Sequence, residues 1–212
     1  FVITNTATDQ NKTQIAVTKE WELTGGRNLP EGAKVNVVLK KVTSGSRLPI
    51  ADTDTTVDVE TVTLSAENNW QYLFTNLPKR ENGQDIVYRV EEVGNVAGFE
   101  KPTYTYDDAT KNMTIVNKAV DRNIVVEKKW VNVDPTQAPE VLVQLFDKDD
   151  TTNPIAIKSL ELENNKYLAK FTNVPSYAYT TDENGNIVAK KIQYALREKY
   201  ADNKVRVAYT TT

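Results

Sequence analysis

Three polar residues of this chain fall where a strand pattern calls for apolar ones, and their types could do chemistry together. They are Lys19, Glu92 and Asn117. Each alternates with apolar residues of its own segment: Ile15, Val17 and Trp21 for Lys19, Tyr88 and Val90 for Glu92, and Met113 and Ile115 for Asn117. Because alternate residues of a strand share a face, all three are predicted to face a core, where a polar side chain is the informative exception.

An amine, a carboxyl group and a carboxamide in a dry interior can react with one another. Burial lowers the pKa of an ammonium and raises the pKa of a carboxyl group, so both neutral forms are favoured. The neutral amine is a nucleophile, and the protonated acid can donate to the carboxamide oxygen and carry the proton that lets ammonia leave. The product is an amide, formed once. Alternation alone favours a different interpretation, a structural Lys–Glu pair hydrogen-bonded to the asparagine.

Period-2 runs dominate the chain and define these faces. Turn signals such as Gly25-Gly26, Leu77-Pro78 and Asn82-Gly83 separate the runs, and no long segment has a 3.6-residue period. Short strands at near-regular spacing predict an all-β sandwich or barrel. The predicted strands include residues 15–21, 35–39, 70–74, 86–92 and 113–117.

The same pattern occurs twice. Ile124–Trp130 repeats the alternation of Ile15–Trp21, and Tyr194–Glu198 repeats that of Tyr88–Glu92. A unit of about 100 residues with variable loops explains both, so the chain is predicted to be a tandem array. The predicted organisation is a segment 1–9 that is the last strand of a preceding repeat or a linker, domain one at 10–118, and domain two at 119–212 without its final strand.

In domain two, Lys128 and Glu198 take the positions that match the lysine and glutamate of domain one. An asparagine acceptor about 25 residues after Glu198 would fall beyond the printed sequence. The chain opens with Val-Ile-Thr-Asn5, the same kind of segment that closes domain one, which predicts an excerpt from a longer array. One hypothesis is that residues 1–5 pair head to tail with another molecule and present Asn5 to its Lys128.

The composition excludes several classes of function. Of 212 residues, 26 are Lys or Arg and 29 are Asp or Glu; the net charge of −3 argues against nucleic-acid binding. The chain has no Cys and no His, which excludes disulfides, thiolate nucleophiles, imidazole bases and the common metal-ligand sets. It has no phosphate-binding glycine loop and no apolar run of membrane length. We expect no metal, no cofactor, no nucleic-acid partner and no membrane partner.

Two other sets of residues suggest ligand sites but have simpler explanations. Trp21, Trp70 and Trp130 could form a sugar-binding platform, yet they lie on predicted core faces, so packing is favoured. The acidic runs 52–58 and 147–150 could bind calcium, yet neither has EF-hand spacing, so solvated loops are favoured.

Longer motifs carry a family resemblance. They are Val17-Thr-Lys-Glu-Trp21, Asn69-Trp-Gln-Tyr72 with Phe74-Thr-Asn-Leu-Pro78, Gly83-Gln-Asp-Ile-Val-Tyr-Arg-Val-Glu-Glu92 and Thr114-Ile-Val-Asn117. As an ordered set they resemble the B-type (Cna B-type) repeats of Gram-positive collagen adhesins and related pilin domains. The match spans nearly all of 12–118 and, more loosely, most of 120–212. It implies tandem immunoglobulin-like β-sandwiches, inverse to the usual strand arrangement.

Many members of this family carry a spontaneous amide cross-link between a lysine and an asparagine, assisted by an acid. The resemblance therefore implies that Lys19 is the nucleophile, Asn117 the acceptor and Glu92 the proton shuttle, and it favours the cross-link over the structural triad. It leaves open whether Lys128 and Glu198 take part in a cross-link of domain two.

Family members form stalks and adhesive arms on the cell wall, so the resemblance implies an extracellular, wall-anchored protein whose anchor lies outside this sequence. We expect a structural stalk segment rather than an enzyme, with a cross-link under tension and with other repeats of the same polypeptide as neighbours. Two alternatives stay open. One is a module that itself binds a host extracellular-matrix protein or glycan, and the other is a non-catalytic domain of an extracellular hydrolase.

Overall fold

The computed structural model describes residues 10–48, 54–131 and 139–201. In these residues the regular structure is β-strand apart from one 3-10 turn, Ala66–Asn68, and no helix is long and apolar enough to cross a membrane. The all-β prediction is confirmed. The chain divides into two compact units. The first includes Asn28–Ala119 and Tyr179–Val188, and the second includes Val120–Ala178 and the described residues from Ala189 onwards.

The described residues between 10 and 118 form nine strands: β1 Lys12–Glu22, β2 Lys34–Ser44, β3 Thr55–Ser65, β4 Gln71–Pro78, β5 Arg80–Glu81, β6 Gln84–Asp85, β7 Val87–Glu92, β8 Thr103–Asp107 and β9 Asn112–Lys118. One sheet has the order β4-β1-β9-β8 and the other the order β3-β2-β7. Neighbouring strands are antiparallel except β1 and β9, which are parallel.

Apolar residues of both sheets fill the space between them. The core includes Val17 and Phe74 from one sheet and Val37, Leu39 and Val90 from the other. Their alternation with exposed residues is what the period-2 pattern predicts for strands with one wet face. The short β5–β6 hairpin turns at Asn82 and Gly83, which both have positive φ, 50° and 80°. Asn-Gly is the pair that such a turn prefers.

The described residues from 119 to 201 form eight strands: β10 Asp121–Lys128, β11 Val141–Asp147, β12 Ala156–Ser159, β13 Glu161–Glu163, β14 Lys166–Pro175, β15 Tyr177–Thr181, β16 Ile187–Lys191 and β17 Tyr194–Tyr200. They form the sheets β10-β14-β13 and β12-β11-β17 and the hairpin β15-β16. The two three-stranded sheets enclose a smaller core, made of Val143, Leu145, Ala169, Phe171 and Val174.

Arg89 and Tyr72 are among the side chains that depart from the alternation. Arg89 lies on the face of β7 opposite to Tyr88 and Val90, yet only 4% of it is exposed. It is covered because its guanidinium donates to the Asp54 carboxylate (2.5 Å) and to the Ser46 carbonyl (3.3 Å). Tyr72 shares a face with Phe74 but is 38% exposed, since β4 is an edge strand.

Candidate functional site

The three polar residues on core faces come from three strands and two sheets. Lys19 is on β1 and Asn117 on the adjacent parallel strand β9, where Lys19 pairs with Ile115 and Trp21 pairs with Asn117. Lys19 and Asn117 are thus diagonal neighbours on one face. Glu92 ends β7 in the opposite sheet. The fold therefore brings the lysine and the asparagine together on one side of the core and the glutamate towards them from the other.

All three residues are buried, and the side chains of Lys19 and Glu92 have no exposed surface. The Lys19 ammonium lies 3.7 Å from Glu92 Oε2. It donates to the Glu20 carbonyl at 2.8 Å and to the Ile115 carbonyl at 3.5 Å. Asn117 Nδ2 donates to both Glu92 oxygens, at 2.9 Å and 3.1 Å. The carboxylate thus contacts both the amine and the amide.

Burial shifts both titrating groups towards their neutral forms. Desolvation lowers the pKa of Lys19 to about 8, although the charge of Glu92 opposes the shift. Desolvation likewise raises the pKa of Glu92, opposed by the hydrogen bond from Asn117 and the charge of Lys19. Because the two groups interact, they titrate as a pair. At pH values between its two pKa values, the pair holds one titratable proton. Transfer of that proton inside the pair gives a neutral amine beside a protonated acid.

The carboxamide of Asn117 is oriented differently from the sequence-based expectation. We expected the protonated glutamate to donate to the carboxamide oxygen. Both Glu92 oxygens instead face Nδ2, the nitrogen that would leave as ammonia, because an ionised carboxylate can only accept hydrogen bonds. Within the described residues, the buried Asn117 Oδ1 accepts no hydrogen bond.

Aromatic rings cover the amine. The Trp21 ring lies 3.9 Å from Lys19 Nζ, and it meets Trp70 and Phe99 in edge contacts at 5.2 Å and 5.0 Å. Trp21 and Trp70 pack against the first core, as the packing interpretation predicts. These rings keep water away from the amine, which sustains the desolvation that lowers its pKa.

Sequence reasoning missed Tyr104, on β8. Its hydroxyl accepts a hydrogen bond from the Glu92 backbone N–H at 3.2 Å, and burial raises the pKa of Tyr104 to about 12. Tyr104 therefore remains a neutral phenol that holds the end of β7 in place. Tyr104 alternates with Tyr106 on a short strand, and this pattern could have indicated that both tyrosines face the core.

In the second unit, Lys128 and Glu198 also meet across two sheets, from β10 and β17. The ammonium lies 2.8 Å and 3.1 Å from the two carboxylate oxygens, and the side chains are 17% and 21% exposed. Lys128 Nζ lies 4.7 Å from the Trp130 ring. The predicted acceptor Asn5 lies outside the described residues, so its position relative to Lys128 stays a prediction.

The acidic runs form ion pairs. Asp54 pairs with the buried Arg89, Asp58 with Lys40, and Asp149 with Lys190. The expectation of a solvated loop is therefore wrong for Asp54, whose side chain is only 12% exposed. In the described ranges, no group of three or more acidic side chains is arranged to hold a metal ion.

A two-sheet fold with a buried Lys–Glu–Asn cluster and two copies of one strand pattern places the chain in a class of β-sandwich repeat domains. The family described as Cna protein B-type domain matches residues 15–118 and 124–212. The chain belongs to this family, and the resemblance and the tandem immunoglobulin-like fold are thereby confirmed.

Similar proteins include the collagen adhesin of Staphylococcus aureus, 26% identical over 99% of this chain and 15% of that protein. The chain thus spans only a small part of that relative. The crystal structure of two B repeat units of the S. aureus collagen-binding protein is 24% identical, over 90% of this chain and 45% of that one, with a TM-score of 0.47. The pilus backbone protein of Streptococcus pneumoniae is 13% identical over 94% of this chain and 57% of that one, with a TM-score of 0.32.

Proposed function

We propose that this chain is a structural stalk segment of a Gram-positive surface adhesin or pilin, and that its first domain is closed by an amide bond between Lys19 and Asn117. The observation that carries this proposal is the fully buried Lys19–Glu92 pair in contact with Asn117, in a chain of the Cna B-type family. An ordinary structural ion pair does not require a carboxamide held against the same carboxylate in a dry core.

The reaction balances within the three side chains. The lone pair of neutral Lys19 Nζ attacks Asn117 Cγ, and the carbonyl electron pair moves to Oδ1. Glu92 takes a proton from the attacking nitrogen and delivers one to Nδ2, which it already contacts. The Cγ–Nδ2 bond then breaks, ammonia leaves and the carbonyl re-forms. Holding the groups together can supply about 7–11 kcal/mol of the barrier reduction. Because the reaction consumes its own residues, there is no turnover.

The bond would join β1 to β9, the first and last described strands of residues 10–118. It would close a loop of about 100 residues, which by disulfide chain-entropy arithmetic stabilises the fold by about 4–5 kcal/mol. An amide does not respond to redox conditions, which suits a chain without cysteine. Tension applied to the ends of the domain would then pass through a covalent bridge.

The family and its relatives support a setting on the cell surface. We place the protein outside the cell, on the surface of a Gram-positive bacterium, with neighbouring repeats of the same polypeptide as its partners. The name of the S. aureus relative describes a collagen adhesin. In our proposal this chain corresponds to its repeated supporting part, and a matrix ligand is bound elsewhere in the full-length protein.

A cross-link in the second unit is proposed only on the condition that an acceptor is supplied. Lys128 and Glu198 hold the matching positions, but closure there needs an asparagine from outside the described residues. Donation of Asn5 by another molecule is one source, and a dimer cross-linked from head to tail would be its product.

Intact mass spectrometry tests the proposal. The folded protein should be lighter than its sequence mass by one ammonia, and peptide mapping should recover a branched fragment joining Lys19 to Asn117. Asn117→Ala removes the acceptor and should retain the full mass, whereas the matched variant Lys128→Ala should still lose ammonia from the first unit. An unchanged mass in well-folded wild-type protein would refute the cross-link.

A further inference from the structure

The proposed reaction develops negative charge on Asn117 Oδ1, and the structure leaves that atom without a donor. Glu92 faces the leaving nitrogen, and Oδ1 is buried with no hydrogen bond from any described residue. Donors aimed at a developing oxyanion usually make the largest electrostatic contribution to acyl-transfer catalysis. The residue that supplies this donor should therefore be a buried neighbour of Asn117 with an unused N–H or O–H.

Trp21 meets this description. It is the register partner of Asn117 on the adjacent parallel strand, so the two side chains leave the sheet side by side on the same face. Its indole Nε1–H is buried and, in the described part of the chain, donates to nothing. Buried polar atoms normally have partners. Here an unused donor and an unused acceptor occur on paired residues.

The indole also contacts the other reacting group. Its ring lies 3.9 Å from Lys19 Nζ, so Trp21 lies beside both the nucleophile and the acceptor. Edge contacts with Trp70 and Phe99, at 5.2 Å and 5.0 Å, fix the ring. A fixed ring keeps its N–H in one direction, which is what preorganised stabilisation of a transition state requires.

The second unit repeats the arrangement independently. Trp130 follows Lys128 by two residues, as Trp21 follows Lys19, and Lys128 Nζ lies 4.7 Å from its ring. The Trp130 indole N–H is likewise buried and unused among the described residues. Both units thus hold a buried indole N–H, unsatisfied among the described residues, two residues after the lysine. An accident of packing in one unit would not produce this twice.

We propose that the Trp21 indole N–H is the oxyanion donor of the amide-forming reaction. This inference rests on the proposed function. As Nζ bonds to Cγ and the carbon becomes tetrahedral, Oδ1 gains the electron pair and moves onto the indole N–H, while Glu92 transfers the proton to Nδ2. When the Cγ–Nδ2 bond breaks, the pair returns to the carbonyl. Trp21 donates a hydrogen bond throughout and loses no proton.

The test is a rate measurement on newly made protein. The full chain is synthesised in a cell-free pulse, translation is stopped, and loss of ammonia is followed by intact mass. Trp21→Phe keeps an aromatic ring over Lys19 and removes the N–H, so bond formation should slow by about 10²–10³-fold, the usual effect of losing one oxyanion donor. The matched control, Tyr106→Phe, removes another buried and unused donor group from the same core and should react at the wild-type rate.

A second substitution separates the hydrogen bond from packing. Benzothienylalanine at position 21 replaces the indole N–H with sulfur while nearly preserving its shape, so it should fold as wild type does and react as slowly as Trp21→Phe. Wild-type rates in this variant would overturn the inference while leaving the cross-link intact. Equal slowing in Tyr106→Phe would also overturn it, because loss of any buried donor from this core would then explain the effect. Wild-type protein that never loses ammonia would overturn the proposed function and this inference together.

Discussion

The two units hold the same pair of residue types in different surroundings. In the first, Lys19 and Glu92 lie 3.7 Å apart with no exposed side-chain surface. In the second, Lys128 and Glu198 approach to 2.8 Å, but their side chains are 17% and 21% exposed. The closer pair is therefore the wetter one, and only the drier pair has an asparagine against its carboxylate in the described structure.

The comparison teaches that exclusion of water, rather than proximity, prepares a lysine for reaction. A short contact near solvent leaves both groups hydrated, so such an ion pair contributes little. A longer contact in a dry core leaves each ion poorly compensated, so the neutral forms become accessible. The Lys19 pKa of about 8, lowered by desolvation, is the sign of this effect.

The largest effect should come from removing the acid of the dry pair. Glu92→Gln preserves shape but cannot carry the proton, so we expect the first unit to retain its ammonia and to lose the roughly 4–5 kcal/mol that closure contributes. For a domain of this size that lowers its melting temperature by more than about 15 °C. Intact mass and calorimetry measure both changes.

Glu198→Gln is the matched control, since it removes the acid of the wetter pair. It should leave the mass and melting of the first unit unchanged. Glu91→Gln, next to Glu92 but paired with Arg89 and Lys40 on the outer face, should also permit closure. If Glu92→Gln closed normally, Glu92 would have no part in the chemistry.

A smaller effect should follow when each pair is replaced by apolar residues. In an Asn117→Ala background, which cannot close, Lys19→Met with Glu92→Leu should raise stability by about 1–4 kcal/mol, because a buried ion pair costs much desolvation. Lys128→Met with Glu198→Leu should change stability by less than about 1 kcal/mol, as expected near solvent. Urea unfolding of the two variants gives the comparison, and equal effects would contradict it.

The smallest expected effect is the dependence of the reaction rate on pH. The reaction needs Lys19 as the neutral amine and Glu92 as the protonated acid. This neutral pair holds one titratable proton, as the ion pair does. The population of the neutral pair relative to the ion pair is therefore independent of pH between the two pKa values. Bond formation should therefore be fastest between the raised pKa of Glu92 and about pH 8, and should fall about tenfold per pH unit above that, as the shared proton is lost. A rate that kept rising above pH 8 would show that Glu92 acts only as an ion.

Much of the fold follows from alternation alone. Lys19, Glu92 and Asn117 could be placed on core faces because β1, β7 and β9 each keep apolar side chains on one side. Alternation fails where something beyond the strand covers or uncovers a face. Arg89 is buried by contacts with Asp54 and Ser46, from the connection between β2 and β3, and such long-range cover leaves no periodic signal.

The site is less predictable than the fold. The two-residue period of a strand predicts the face on which a side chain lies. It does not predict which atom of a carboxamide contacts a carboxyl group. The contact of Glu92 with Asn117 Nδ2, rather than Oδ1, depends on distances between two sheets. The unused indole N–H of Trp21 has the same origin, since it depends on every neighbour of the ring.

The parallel pairing of β1 and β9 determines how the first unit meets a pull on its ends. The chain enters at the start of β1 and leaves at the end of β9, and these lie at opposite ends of a ladder that runs from the pair Ala16–Asn112 to the pair Glu22–Lys118. A tensile force then acts along the strands, so the hydrogen bonds between β1 and β9 are loaded together in shear and do not break one after another. A covalent bond from Lys19 to Asn117 would lie within this ladder and prevent the displacement of one strand along the other.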